Sequence, residues 1–100
     1  MTTTPERDEQ HATEEPTSHT PGEVLEEEFL TPMGLTQTAL ADRMGVAVQQ
    51  INLIVRGRRA ITPATAIMLS RALDTSPEFW MNLQTNYDLG QELQRERKRA

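Results

Sequence analysis

The segment Gln37–Arg59 has the sequence QTALADRMGVAVQQINLIVRGRR, which predicts two short helices joined by a tight turn. Ala41 lies where a larger side chain would push the two helices apart, and Gly45 tolerates the positive φ that the turn needs. The side chains expected to point inward are Val46, Ile51 and Ile54. A cationic loop follows the second helix. This layout is typical of a DNA-binding helix-turn-helix, and an ordinary αα-hairpin in a small bundle is the alternative.

The second helix leaves a set of side chains facing outward, namely Val48, Gln49, Gln50, Leu53 and Arg56. Gln49 and Gln50 lie near the start of this helix, the end that enters a major groove, where an amide can pair with an adenine edge. Both could instead contact phosphate or form part of a solvated helix face. We expect Arg56, Arg58 and Arg59 to bind phosphates, although any one of them could instead pair with an acid of its own chain.

The net charge of −5 is unevenly distributed along the 100 residues. Residues 1–28 carry nine Asp and Glu against the single Arg7, a charge of −8. Residues 29–100 carry six acids against nine Lys and Arg, a charge of +3. The segment holding the motif is therefore mildly basic, which is compatible with DNA binding. Such a weak charge suggests that binding needs two copies on one operator.

Composition and motif content exclude several classes of function. The chain has no cysteine, so disulfides and thiolate metal sites are excluded, and no apolar run approaches the roughly 20 residues that span a bilayer. His11 and His19 lack the spacing of metal ligands, and no Ser/His/Asp constellation or phosphate-binding glycine loop is present. We therefore expect a protein that is not an enzyme and has no cofactor, metal or membrane span. Its expected location is the cytoplasm, at the nucleoid.

The chain divides into an acidic leader and a helical domain. Residues 1–19 have almost no large apolar side chain after Met1, which predicts a disordered tail. A role of this tail in binding a partner and the absence of any role remain equally open. Residues 20–100 are predicted to form the helix-turn-helix domain with a C-terminal helix. No segment alternates with period two, so the fold class is all-α, a five-helix bundle.

Local signals place the remaining helices. Helix one begins at the capping box Thr20-Pro21-Gly22-Glu23, carries an acidic run, Glu26-Glu27-Glu28, and breaks at Thr31–Gly34. Thr36 caps helix two, and helix three spans roughly 47–55. Helix four begins at Thr62-Pro63 and is apolar nearly all round, which predicts a buried central helix.

Helix five begins at Ser76-Pro77 and carries an aromatic stripe that includes Trp80 and Tyr87. Such a stripe favours a core or dimer-interface role over a ligand pocket. Gly90 is expected to weaken or bend this helix, and Asp88 is expected to be structural. The residues from Arg95 to Arg99 are interpreted as a basic tail.

Several motifs together carry a family resemblance. They are Pro21-Gly22-Glu23-Val24-Leu25, Glu28-Phe29-Leu30, Pro32-Met33-Gly34-Leu35-Thr36-Gln37, Leu40-Ala41, Gly45-Val46, Ile51-Asn52, Gly57-Arg58-Arg59-Ala60-Ile61-Thr62, Ala66 and the run from Ser76 to Leu89. Over about residues 19–93 the chain resembles the HigA-type antitoxins, part of the phage-repressor-like (XRE, Cro-like) helix-turn-helix group. The run Ser-Pro-Glu-Phe-Trp…Leu-Gln…Tyr-Asp-Leu is much more specific than a generic helix-turn-helix. The acidic leader, and Thr20 after His19, depart from the family pattern.

The resemblance implies an antitoxin of a type II toxin–antitoxin system. Such a protein is a homodimer that binds double-stranded operator DNA in its own promoter. It also neutralises a small HigB-like toxin, an mRNA-cleaving ribonuclease of the RelE-like class. The resemblance further implies that Gln37 contacts phosphate and that Asn52 faces DNA, although Asn52 could instead cap or brace the following loop.

Two other functions remain open. One is a stand-alone transcription regulator of the same fold that has no toxin. The other is an interaction module that neutralises a partner through its acidic leader and helix one, with weak or no DNA binding.

Overall fold

The computed structural model describes residues 19–99, and within this range the chain forms five helices and no strand. Helix α1 comprises three consecutive pieces, Pro21–Val24, Leu25–Leu30 and Thr31–Met33. The others are α2 (Gln37–Met44), α3 (Val48–Val55), α4 (Pro63–Leu73) and α5 (Pro77–Arg99). The all-α, five-helix prediction is confirmed. The predicted tail, apart from His19, lies outside the described residues.

Hydroxyl side chains begin the helices as the sequence predicted. Thr20 accepts a hydrogen bond from the Glu23 amide at 3.1 Å, and the Glu23 carboxylate accepts one from the Thr20 amide at 3.0 Å, which completes the capping box. Thr36, Thr62 and Ser76 each accept a hydrogen bond from the backbone amide three residues later. These bonds satisfy helix amides that have no partner inside the helix, so the starting points are fixed by local chemistry.

The predicted break of helix one at Thr31–Gly34 is confirmed only at Gly34, the last residue of that segment. Helix α1 continues through Pro32 to Met33 and ends only at Gly34, which has a φ of 63°. The piece Leu25–Leu30 is π-helical, and the Thr31 amide donates to the Glu26 carbonyl, five residues back. The wider turn gives the ring of Pro32 room beside the preceding carbonyls, which would block it in a regular α-helix.

The turn between α2 and α3 has the geometry that its sequence predicted. Gly45 has a φ of 73°, and the Val46 amide donates to the Ala41 carbonyl at 3.1 Å. Ala41, Ile51 and Ile54 are buried, as expected of residues between the two helices. Val46, which was also expected to point inward, is only half-buried at the edge of the core.

The core lies where α1, α4 and α5 enclose the helix pair α2–α3. Trp80 is fully buried, its indole N–H donates to the Thr75 hydroxyl at 2.7 Å, and the rings of Phe29 and Phe79 pack against it. The core role predicted for the aromatic stripe is therefore confirmed for Trp80. The other buried apolar residues are Leu25, Leu30, Leu40, Ala41, Met44, Ile51, Ile54, Ile61, Ala66, Leu69 and Leu73.

One prediction about α4 was wrong. Helix α4 is buried on one face rather than all round: Ala64 is exposed and Ile67 is 40% exposed, because α4 packs on its neighbours through one face. Helix α5 runs without interruption through Gly90 to Arg99, so the predicted basic tail forms the last turns of this helix. Glu92 pairs with Arg95 one turn on, and the Gln, Glu and Arg residues of this segment all favour a helix. No helix within residues 19–99 is long and apolar enough to cross a membrane.

Candidate nucleic-acid interface

Helix α3 presents one buried and one open face. Ile51 and Ile54 are 0% and 1% exposed and fix the inward direction. At 100° per residue, Gln49, Leu53 and Arg56 lie on the opposite side. Gln49 and Arg56 are exposed and Leu53 is half-buried, so these three form the centre of the outward stripe.

Two predicted contact residues of α3 lie at the edges of this stripe. Val48 is 43% exposed on one side, and Gln50 is half-buried on the other. The helical positions of Gln49 and Gln50 differ by about 100°, so the two amides do not point at the same surface. Gln49 is therefore better placed to enter a groove than Gln50 is.

The N-terminus of α3 is open. Ala47 precedes it in an extended conformation, with φ −71° and ψ 143°, and no side chain caps the helix. The first amides of a helix have no intrahelical partner, and together with the helix dipole they favour an anion. The start of α3 can therefore accept a phosphate beside the outward stripe.

Gln37 and Asn52, fifteen residues apart in sequence, are brought into contact. The Asn52 side-chain amide donates to the Gln37 side-chain carbonyl at 3.2 Å, and this bond links the first residue of α2 to the outward side of α3. The bracing partner of Asn52 is therefore α2, and not the loop that the sequence suggested. The pair holds the start of α2 beside the outward stripe.

The loop after α3 holds three arginines on a fixed backbone. Gly57 has a φ of 76°, and the Arg58 amide donates to the Leu53 carbonyl at 2.8 Å, which closes the end of the helix. Arg56, Arg58 and Arg59 are all exposed. Within residues 19–99, no carboxylate lies within ion-pair distance of these arginines. The alternative that they pair with acids of the described chain is therefore not observed.

Gly22 positions α3, a role that the sequence interpretation missed. A Cβ built on Gly22 would lie 1.9 Å from the Ile54 carbonyl oxygen and 2.8 Å from the Val55 Cα. The backbone of α1 therefore touches the backbone of α3 directly, and only a residue without a side chain allows this approach. Sequence interpretation could not detect this role, because a glycine in a Pro-Gly helix start is also compatible with helix capping.

Gln84 is a second positioning residue that the sequence interpretation missed. Its side chain is buried, its carbonyl accepts a hydrogen bond from the Ile61 amide at 2.8 Å, and its NH₂ group donates to the Asp88 carboxylate at 3.0 Å. These bonds anchor the end of the arginine loop to α5 and show the structural role predicted for Asp88. The signal was present: Gln84 is a polar residue four positions after Trp80, on the buried face of the same helix.

Other kinds of site have little support in the described part of the chain. Residues 19–99 contain no group of three or more His, Asp or Glu placed to hold a metal ion. His11 lies outside this range. The surface of α3 and its loop is therefore the best-defined candidate site.

The site has the features of a DNA-binding helix-turn-helix domain. These are an outward helix face with a glutamine at its centre, an uncapped helix start and an adjoining arginine loop. Sequence comparison supports this class, since the Helix-turn-helix family model matches residues 27–80. The chain belongs to the HigA-type antitoxin family, within the XRE/Cro-like helix-turn-helix superfamily.

Two curated relatives are similar in sequence. Virulence-associated protein I of Dichelobacter nodosus is 49% identical over 69 residues, covering 69% of this chain and 64% of that protein. Antitoxin HigA-1 of Vibrio cholerae is 46% identical over 68 residues, covering 68% of this chain and 64% of that protein. The matched region therefore spans somewhat less than two thirds of the length of either relative.

A solved structure shows the same fold. The Pseudomonas aeruginosa antitoxin HigA, solved with the higBA promoter, is 40% identical and superposes with a TM-score of 0.78, covering 83% of this chain and 90% of that one. The agreement over most of both chains extends the family assignment from the helix-turn-helix to the helices around it.

Proposed function

We propose that this protein is the antitoxin and autorepressor of a type II toxin–antitoxin system. It binds operator DNA in its own promoter as a homodimer, and it therefore acts at the nucleoid, in the cytoplasm. It also neutralises a small RelE-like, mRNA-cleaving toxin. The observation that carries the DNA-binding part is the outward stripe of α3 beside three exposed arginines that have no acidic partner within residues 19–99.

The side chains of α3 would supply specificity. With its N-terminus in a major groove, α3 presents the Gln49 amide to a base edge, where an adenine offers a matching donor and acceptor. Val48 and Leu53 flank it with apolar surface that suits a thymine methyl group. Gln50, at the edge of the stripe, would contact the backbone of one strand.

Residues around α3 would supply affinity and register. Arg56, Arg58 and Arg59 bind phosphates, and the hydrogen-bonded pair Gln37–Asn52 holds the start of α2 against the DNA backbone. Phosphate contacts carry no sequence information, but they fix how α3 enters the groove. Two protomers would place two such helices about one DNA turn (~34 Å) apart.

The DNA-binding proposal is tested with Gln49→Ala and Arg58→Ala on operator and random duplexes across a salt series. Arg58→Ala should weaken binding to both duplexes and reduce the slope of log K against log salt by about 0.9 for each lost phosphate contact. Gln49→Ala should weaken operator binding by about 1–3 kcal/mol and barely affect random DNA. Arg71→Ala, which removes an exposed arginine of α4, is the charge-matched control. Equal losses for Gln49→Ala on both duplexes would contradict its base contact.

The toxin part of the proposal is supported by membership of the antitoxin family. It is tested by co-expression with each flanking reading frame, followed by affinity capture of this chain. A small co-purifying protein that arrests growth when expressed alone would support the antitoxin function. No such partner, together with operator binding, would favour the stand-alone regulator.

A further inference from the structure

The described chain begins beside the middle of the arginine loop. A Cβ built on Gly57 would lie 3.5 Å from the Thr20 side-chain methyl group, so Thr20 lies beside the residue between Arg56 and Arg58. The close approach of Gly22 to Ile54 fixes this arrangement from the other side. Residues that precede His19 therefore join the domain next to the cationic loop.

The segment that precedes this point is acidic. Residues 1–18 contain five carboxylates against the single Arg7, and these are Glu6, Asp8, Glu9, Glu14 and Glu15. The loop carries three exposed arginines that have no acidic partner within residues 19–99. The two segments have opposite charges, and the chain path joins them at one place.

Chain length allows contact between the two. Four peptide steps separate Glu15 from His19, a reach of up to about 14 Å, and each further residue adds about 3.5 Å. Arg56 and Arg58 are the neighbours of Gly57, so their Cα atoms lie about 3.8 Å from that of Gly57. An acid held on so short a tether has an effective concentration near the arginines in the millimolar range.

We propose that the acidic segment Glu6–Glu15 binds the arginine loop of its own chain and competes there with DNA phosphates. The competition is electrostatic and affects every DNA sequence, while an operator retains the base contacts of α3. The segment therefore lowers the affinity for random DNA. Operator DNA, which also makes the base contacts, still displaces the segment from the arginine loop. This inference uses the proposed DNA-binding function for one of its two readouts.

The first test measures binding of a random duplex by fluorescence anisotropy at low salt. The variant Glu9→Gln/Glu14→Gln/Glu15→Gln should bind roughly three- to tenfold more tightly than the parent chain, as expected when a few exposed ion pairs are lost. The difference should shrink as salt rises, because screening weakens the internal contact. The control Glu27→Gln/Glu28→Gln/Glu78→Gln changes net charge equally with exposed acids outside this segment. Equal gains for both variants, or no gain for the first, would overturn the proposal.

The second test needs no DNA and separates this inference from the proposed function. Amide NMR spectra of the parent chain and of the Glu9/Glu14/Glu15 variant are compared at low and high salt. The amides of Gly57, Arg58 and Arg59 should shift between the two proteins at low salt and coincide at high salt. Identical spectra at low salt would overturn the internal contact, even if DNA binding were normal. Shifts without any DNA binding would support the contact and refute the proposed function.

Discussion

Replacing Gly22 with alanine should displace the helix that is proposed to contact DNA. The new Cβ would lie 1.9 Å from the Ile54 carbonyl oxygen, whereas ordinary contact begins near 3.4 Å, so α1 and α3 must separate by about 1.5 Å. The obstacle is backbone and cannot rotate away, so overpacking should cost about 3 kcal/mol. The higher helix propensity of alanine offsets up to about 1 kcal/mol of this cost. We expect a net loss near 2 kcal/mol, or roughly 8–16 °C in Tm for a domain of this size.

The stability loss of Gly22→Ala is measured by urea unfolding at fixed protein concentration, monitored by Trp80 fluorescence. Operator affinity is measured separately on the folded variant. Affinity for operator DNA should fall as well, because the displaced C-terminal end of α3 is connected directly to the arginine loop. Gly34→Ala is the control: Gly34 has a φ of 63° but nothing within 4 Å of a built Cβ. It should cost about 1–2 kcal/mol through backbone strain and leave DNA affinity unchanged. An unfolding free energy for Gly22→Ala within about 0.5 kcal/mol of the parent would refute the direct backbone contact.

Three further changes probe the supports of the candidate site and the core. Gln84→Ala leaves a buried loop amide without an acceptor and should cost about 1–3 kcal/mol in urea unfolding, while Gln94→Ala, exposed on the same helix, should be nearly neutral. A double-mutant cycle of Gln37→Ala and Asn52→Ala should show a coupling of about 0.5–1.5 kcal/mol in unfolding, and additive effects would argue against their hydrogen bond. Trp80→Ala should lower the free energy of unfolding by about 3–5 kcal/mol, as measured by circular dichroism. A smaller loss would mean that the core can collapse around the cavity.

Helix starts could be predicted from the sequence because their chemistry is local. A hydroxyl at Thr20, Thr36, Thr62 or Ser76 reaches an amide only three residues away, whatever the rest of the chain does. The turn at Gly45 is equally local. These signals were sufficient to predict five helices and the helix-turn-helix.

The failures of sequence interpretation arose where packing or hydrogen bonding overrides a local rule. Proline usually ends a helix, but the π-helical turns of α1 accommodate Pro32. Apolar content predicted a fully buried α4, yet Ile67 is exposed because α4 packs through one face.

The sequence predicted only part of the candidate site, because helical periodicity is local and the contacts between helices are not. Helical periodicity identified the outward side of α3, since Ile51 and Ile54 mark the inward one, but periodicity did not rank Gln49 above Gln50. It also carried no information on which residue of α2 would meet Asn52.

The sequence by itself therefore determined the helix starts and the turn, because capping and turn conformation depend on residues a few positions apart. Tertiary structure decided the contacts between distant segments: Gln37 with Asn52, Gln84 with Ile61 and Gly22 with Ile54. It also placed Thr20 beside Gly57. These contacts depend on how whole helices pack, which is the sum of many small apolar contacts spread along the chain. No short motif encodes that sum, and it is this packing that sets the exposed arginines beside the start of the domain.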